Sequence, residues 1–216
     1  VSALALISAA LTYPDDALAA ERPAIADSVR GLPPSPARDA LLGFMGWWAA
    51  EPADALRRRY VETFDFSRRS GLDLTYYTHG DRRQRGLALL ELRRRYEAAG
   101  LEAHGPELPD HLPVVLEFAT LDAAGVAILD DFRPVLEVLR MSLARGGSPW
   151  AAVLDALCAL LAPLDDAGRA EVVRLAREGP PGESVGLEPF APPEVMPAPA
   201  RPAGPACAGV TTEGAR

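Results

Sequence analysis

Lysine is absent: all 22 basic side chains of this 216-residue chain are arginine. That removes the amine of a Schiff base and the phosphate-binding lysine of a P-loop, so those two chemistries lose their central group. Cysteine is scarce, with Cys158 in an apolar stretch expected to be helical and Cys207 in a proline-rich tail. Two thiols so placed make neither a disulfide framework nor a cysteine metal motif, and they suit a reducing, cytoplasmic setting. The three histidines are His79, His104 and His111, and none belongs to an HxxxH or HExxH pair that would set two ligands on one helical face. A GxSxG nucleophile elbow and a glycine-rich phosphate loop are also missing. The first apolar run, residues 3–11, is far shorter than the roughly 20 residues that cross a bilayer, and no basic residue precedes it. It reads as a core helix, with no direct insertion into a membrane.

Excess positive charge is lacking too. The formal net charge is -8, with the acidic excess spread along the chain. Nucleic-acid binders depend on Lys and Arg against phosphate, so that class ranks low, and an acidic surface favours cationic partners such as basic peptides. Apolar residues at 49% and charged residues at 24% leave enough core-forming side chains for one folded domain.

What is present is helical periodicity almost throughout. The chain reads as all-α, a single compact domain of about nine helices over residues 1–178, followed by a disordered Pro/Gly/Ala-rich tail over 179–216 whose few large apolar groups cannot offset the entropy of ordering. Paired aspartates mark expected helix starts at Asp15-Asp16, Asp130-Asp131 and Asp165-Asp166, and Ser35 with Pro36 marks another. A long helix over residues 81–99 carries Leu89, Leu92 and Tyr96 on its stripe and an expected Glu91–Arg95 ion pair. A further helix begins at Pro109-Asp110 with Val114, Val115, Phe118 and Leu121 as its buried face.

Two stretches stand apart from this packing pattern. The first runs through Tyr60, Phe64 and Asp65 into an irregular segment with Tyr76, Tyr77, His79 and Gly80; the second is Pro109-Asp110-His111-Leu112 with Glu117 one turn and a half further on. Each puts uncommon polar or aromatic groups at a helix edge, where backbone groups lack helical partners. Tyr60 and Phe64, at i and i+4, are expected to be packing residues that also form a wall, whereas Tyr76 and Tyr77 are candidates for an exposed contact surface. Asp110 is expected to cap its helix, and at 100 degrees per residue His111 falls in the sector of Val114, Val115 and Phe118, bordered by Glu117. Three readings follow. Asp110, His111 and Glu117 are locally satisfied structural groups; or they rim, with Asp65, an apolar groove that holds a peptide; or Asp110, His111, Glu117 and His79 form the site of a small metal-dependent hydrolase.

Residues 60–100 (YVETFDFSRRSGLDLTYYTHGDRRQRGLALLELRRRYEAAG) and 107–119 (ELPDHLPVVLEFA) resemble the NarJ-type assembly chaperones of respiratory nitrate reductase. ISAALTYPDDAL near the start and LDDFRPVLEVLR further on are similar to the same family, so the likeness runs from the first helix to about residue 178 and leaves out the tail. The family belongs to a wider group of all-helical molybdoenzyme maturation chaperones. The resemblance implies a cytoplasmic protein that is not an enzyme and holds no cofactor stably. It implies as partner the nitrate reductase alpha subunit, bound at its N-terminal twin-arginine-like segment and kept open for insertion of molybdopterin guanine dinucleotide before it docks on the membrane subunit. Carried over by position, the peptide-binding groups would be Tyr60, Phe64, Asp65, Tyr76, Tyr77, His79, Pro109, Asp110, His111, Leu112 and Glu117, with no catalytic and no metal-binding residue.

Overall fold

In the computed structural model, residues 2–67, 69–81, 83–103 and 105–179 are described. His104, Cys207 and residues 180–216 of the expected tail fall outside them. Among the described residues eleven helices occur in order: α1 (Ala3–Leu11), α2 (Asp16–Arg30), α3 (Pro36–Ala50), α4 (Ala53–Phe64), α5 (Tyr76–His79), α6 (Arg83–Ala98), α7 (Leu112–Leu121), α8 (Ala123–Asp131), α9 (Arg133–Arg145), α10 (Ala151–Leu160) and α11 (Asp166–Glu178). The all-α expectation holds. The count exceeds nine because the irregular segment contains the single turn α5 and because the helix beginning after His111 breaks into α7 and α8.

Capping explains most of the boundaries. Side chains of Ser2, Asp15, Ser35 and Asp165 each accept a bond from an amide three residues on, at 2.7–3.2 Å, satisfying donors that the first turn leaves free. Asp122 ends α7 and caps α8 through the Ala124 amide at 2.7 Å, so one residue makes the corner. Asp130-Asp131, expected to open a helix, instead closes α8; α9 starts after Phe132, with Pro134 in its first turn. With a cap already supplied by Asp122, the aspartate pair extends an existing helix.

The core is built where α1 lies against α7 and α10, α3 against α10 and α2, and α9 against α10 and α11. Trp150, at the head of α10, donates its indole N–H to the Ala10 carbonyl at 2.9 Å, a buried bond between segments 140 residues apart. Phe44, Trp47, Tyr60 and Phe64 surround that indole at centroid distances of 5.2–6.1 Å. Leu121, expected in the buried face of its helix, is 70% exposed because it ends α7 at the corner. The expected Glu91–Arg95 pair is also replaced: Glu91 meets Arg94 at 3.6 Å, while Arg95 reaches Asp131 at 2.6 Å. No helix among the described residues is long and apolar enough to cross a membrane.

Candidate functional site

The two unusual stretches of sequence are stitched together in space. The Leu74 amide donates to the Asp110 carbonyl at 3.1 Å and the Leu112 amide to the Leu72 carbonyl at 2.9 Å, which makes an antiparallel bridge between Asp73 and His111. Leu72, Leu74 and Leu112 are buried beneath this bridge, and their burial pins the loop to the start of α7. Tyr96 of α6 adds a bond from its hydroxyl to the Pro109 carbonyl at 2.6 Å.

Asp110 is fully buried, and it does not cap α7. The N-cap position belongs to His111, without a side-chain bond, while the Asp110 carboxylate turns the other way. Its Oδ2 accepts from the Thr75 amide at 3.0 Å and from the Thr75 hydroxyl at 2.5 Å, and the Arg85 guanidinium lies 3.7 Å away. A buried carboxylate survives only with such partners. Arg85 also donates to Asp73 at 2.9 Å and to the Thr75 hydroxyl at 3.2 Å, and its guanidinium stands 5.8 Å from the Tyr76 ring centre. One arginine on α6 therefore holds the loop, the bridge and the buried aspartate together.

Above this network opens a cleft of about 430 Å³. Tyr60, Phe64 and Tyr76 give it aromatic walls, and Asp65, Asp73 and Glu107 supply carboxylates, with His111 beside them. Tyr60 is fastened by its hydroxyl to the Leu11 carbonyl at 2.8 Å, and its ring lies 4.8 Å from that of Phe64. Both are core residues that also form a wall, as the i, i+4 spacing predicts. His111 is half-buried, and its Nδ1 lies 3.0 Å from Asp73 Oδ1.

The field in the cleft is set by these neighbours. Burial pushes the Tyr60 hydroxyl well above its ordinary value, and Asp65, Glu107 and Asp73 add to that. For Asp73, burial acts upward, but the bonds from His111 and Arg85 outweigh it and hold the carboxyl below the usual range. Both shifts lead away from neutral pH, whereas acid–base chemistry calls for a group poised near it. Elsewhere, in α10, burial pushes the Cys158 thiol to about 11, which keeps it an inert core group.

Other expected members sit elsewhere. Tyr77, a candidate for exposed contact, is 2% exposed and donates its hydroxyl to the Gly71 carbonyl at 3.0 Å, because α5 turns it inward to brace the loop. His79 ends α5, half-buried, outside the cleft lining. Glu117 borders Val114 and Phe118 in one groove, but it is exposed, lines two hollows along α7 and is not in the lining of the cleft at His111. Asp110, His111, Glu117 and His79 are thus not gathered as a metal-dependent hydrolase would need, and among the described residues no three His, Cys, Asp or Glu side chains stand where they could hold a metal ion. Asp73, Glu107, Thr75 and Arg85 are members that sequence reasoning missed. Their signal was weak: they sit in aperiodic loops or in a run of arginines, where spacing does not aim a side chain.

Comparison with known proteins adds a second line of evidence. Residues 32–156 match the family described as "Nitrate reductase delta subunit". The chain is 34% identical over 158 residues to a Bacillus subtilis protein named a probable nitrate reductase molybdenum cofactor assembly chaperone, covering 72% of this chain and 85% of that one. It is 34% identical over 162 residues to the Escherichia coli assembly chaperone of the same description, covering 73% and 68%. A Mycobacterium tuberculosis protein named nitrate reductase-like is 40% identical over 111 residues, half of this chain and 17% of the relative.

Proposed function

Because the chain belongs to the nitrate reductase delta subunit family, we propose that it is an assembly chaperone, not an enzyme, for molybdenum cofactor loading of a respiratory nitrate reductase. Its client on this reading is the catalytic alpha subunit, engaged at the N-terminal twin-arginine-like segment. Holding that segment keeps the subunit open for insertion of molybdopterin guanine dinucleotide, and delays its docking on the membrane subunit. The chaperone itself retains no cofactor.

The observation that carries this reading is the cleft between α4, the loop and the start of α7. Aromatic faces and carboxylates at one opening suit a peptide with apolar and cationic side chains. The walls are braced by the core through Tyr60 and by Arg85 through Tyr76 and Asp73, so little ordering cost falls on the chaperone when peptide enters. Exposed carboxylates at the rim contribute more to encounter and selectivity than to strength, which fits a client that must leave.

Calorimetric titration with a synthetic N-terminal segment of the cognate alpha subunit tests the proposal. Saturable binding is expected for the wild type. The pair Asp65→Asn and Glu107→Gln should weaken it about three- to tenfold at low salt, and Tyr76→Ala about tenfold or more. Absence of any binding heat across several temperatures, supported by unchanged amide spectra of the chaperone, would remove leader recognition from the proposal.

A further inference from the structure

The stripe that α6 leaves exposed has a counterpart on the same chain. Over its 16 residues α6 buries only Leu92 and Tyr96. Leu87 is 68% and Leu90 is 44% exposed, and at 100 degrees per residue Arg83, Leu87, Leu90 and Arg94 fall within an arc of about 60°. Arg83 is exposed, and Arg94 is 64% exposed in its pairing with the equally exposed Glu91. The result is an apolar strip closed at both ends by arginine.

Along the outer edge of α7 lies a groove of about 220 Å³, with the half-buried Val114 and the 70% exposed Leu121 as apolar surface over the buried Phe118, and Glu102 and Glu117 as its charged lining. Past Glu117 it continues into a hollow of about 500 Å³ against α1 and α2, whose charged lining adds Asp15 and Glu21. Among the described residues, neither hollow has a basic side chain in its lining, and neither shares a lining residue with the cleft at His111.

We propose that the chain self-associates by seating the Arg83–Leu87–Leu90–Arg94 stripe of one copy in the carboxylate-lined groove beside α7 of another. Leucines meet the Val114, Phe118 and Leu121 surface, and the terminal arginines meet Glu102 and Glu117. Charge complementarity selects this occupant: the charged groups that line the groove among the described residues are acidic, and this strip is an apolar face on the chain with arginine at both ends. Because each copy offers both surfaces, two copies that exchange them reciprocally form a closed pair. The stripe offers four side chains, few beside the roughly 20–30 residues a side of a standard interface, so the association is reversible and depends on concentration. The His111 cleft stays free in either state, which makes the inference independent of the leader-binding proposal.

Sedimentation velocity on the full chain, from about 1 μM to above roughly 100 μM, reads the result. The wild type is expected to rise from the 23.0 kDa monomer toward twice that mass. Leu87→Glu with Leu90→Glu should weaken association at least tenfold, with the circular dichroism spectrum unchanged because both side chains are exposed. Arg94→Glu and Glu117→Arg should each weaken it alone. An equimolar mixture of these two variants should recover it, since every reciprocal contact in the mixed pair again joins opposite charges. A wild type that stays monomeric throughout the range overturns the proposal. So does association indifferent to the leucine changes, or a mixture no tighter than its components. If the leucine variants lose only client capture while the wild type is monomeric, the stripe belongs to the client and the proposal fails.

Discussion

Thr75 shows how a single hydroxyl holds the site. It donates to the buried carboxylate of Asp110 while accepting from Arg85, so it carries charge complementarity from a half-buried arginine to an aspartate with no exposure at all. Thr75→Val keeps the shape and the amide bond but takes away this donor. It should lower unfolding free energy by about 2 kcal/mol in urea titrations, because a buried charged acceptor loses a partner. An unchanged midpoint would show that the residue 75 amide and Arg85 satisfy Asp110 without the hydroxyl. Asp73 answers to pH instead. Its carboxyl is held below the ordinary range, so its contribution is complete above that range and disappears as pH falls through the folded value. The stability difference between wild type and Asp73→Asn should therefore be present at pH 7 and shrink as the pH falls below the ordinary carboxylate range, measured as urea midpoints. A difference that persists in acid would mean that Asp73 acts by packing.

At the level of elements, the tightest joint is the corner between α7 and α8. A Cβ on Gly125 would sit 2.4 Å from the Ala119 nitrogen and 2.5 Å from its Cα, both backbone atoms that cannot step aside. Gly125→Ala should cost about 2–3 kcal/mol, read by thermal or urea unfolding. Gly43, in the middle of α3, faces open space. Gly43→Ala should stabilise by about 0.5–1 kcal/mol in the same measurement, since only helix propensity is at stake. Equal effects at the two positions would contradict the close approach of α7 and α8. The same corner shows why identical signals part company: Asp15-Asp16 and Asp165-Asp166 begin helices, whereas Asp130-Asp131 ends one that Asp122 has already begun.

For the molecule as a whole, Trp150 joins the two ends of the core. Its indole binds the Ala10 carbonyl and is ringed by aromatics from α3 and α4, so α1, α3, α4 and α10 share one packed centre. Unfolding monitored by tryptophan fluorescence and by far-ultraviolet circular dichroism should coincide in a single transition over this unit. Trp150→Phe removes the bond and leaves a void, with an expected loss of about 2–4 kcal/mol in the same titration. Two separated transitions would mean that the aromatic cluster is not the common core.

Helical periodicity, caps such as Ser35 and Asp165, and the pairing of Tyr60 with Phe64 are local properties, set by neighbours a few positions away, and they were readable from order alone. So was the singling out of the loop at Tyr76 and of Asp110-His111, because polar and aromatic groups there break the packing pattern. Tertiary structure decided what these groups face. A bridge between Asp73 and His111 crosses 38 positions of sequence. Arg85 reaches three acceptor groups from another helix, and the turn of α5 sends Tyr77 inward while leaving Tyr76 at the cleft. Spacing along one helix placed Glu117 at the border of the Val114 and Phe118 face, but the polar neighbour of His111 is Asp73, from a loop whose direction no periodicity encodes. The physical reason is that a helix repeats its own geometry every 3.6 residues, while a loop takes its path from the surfaces that bury it.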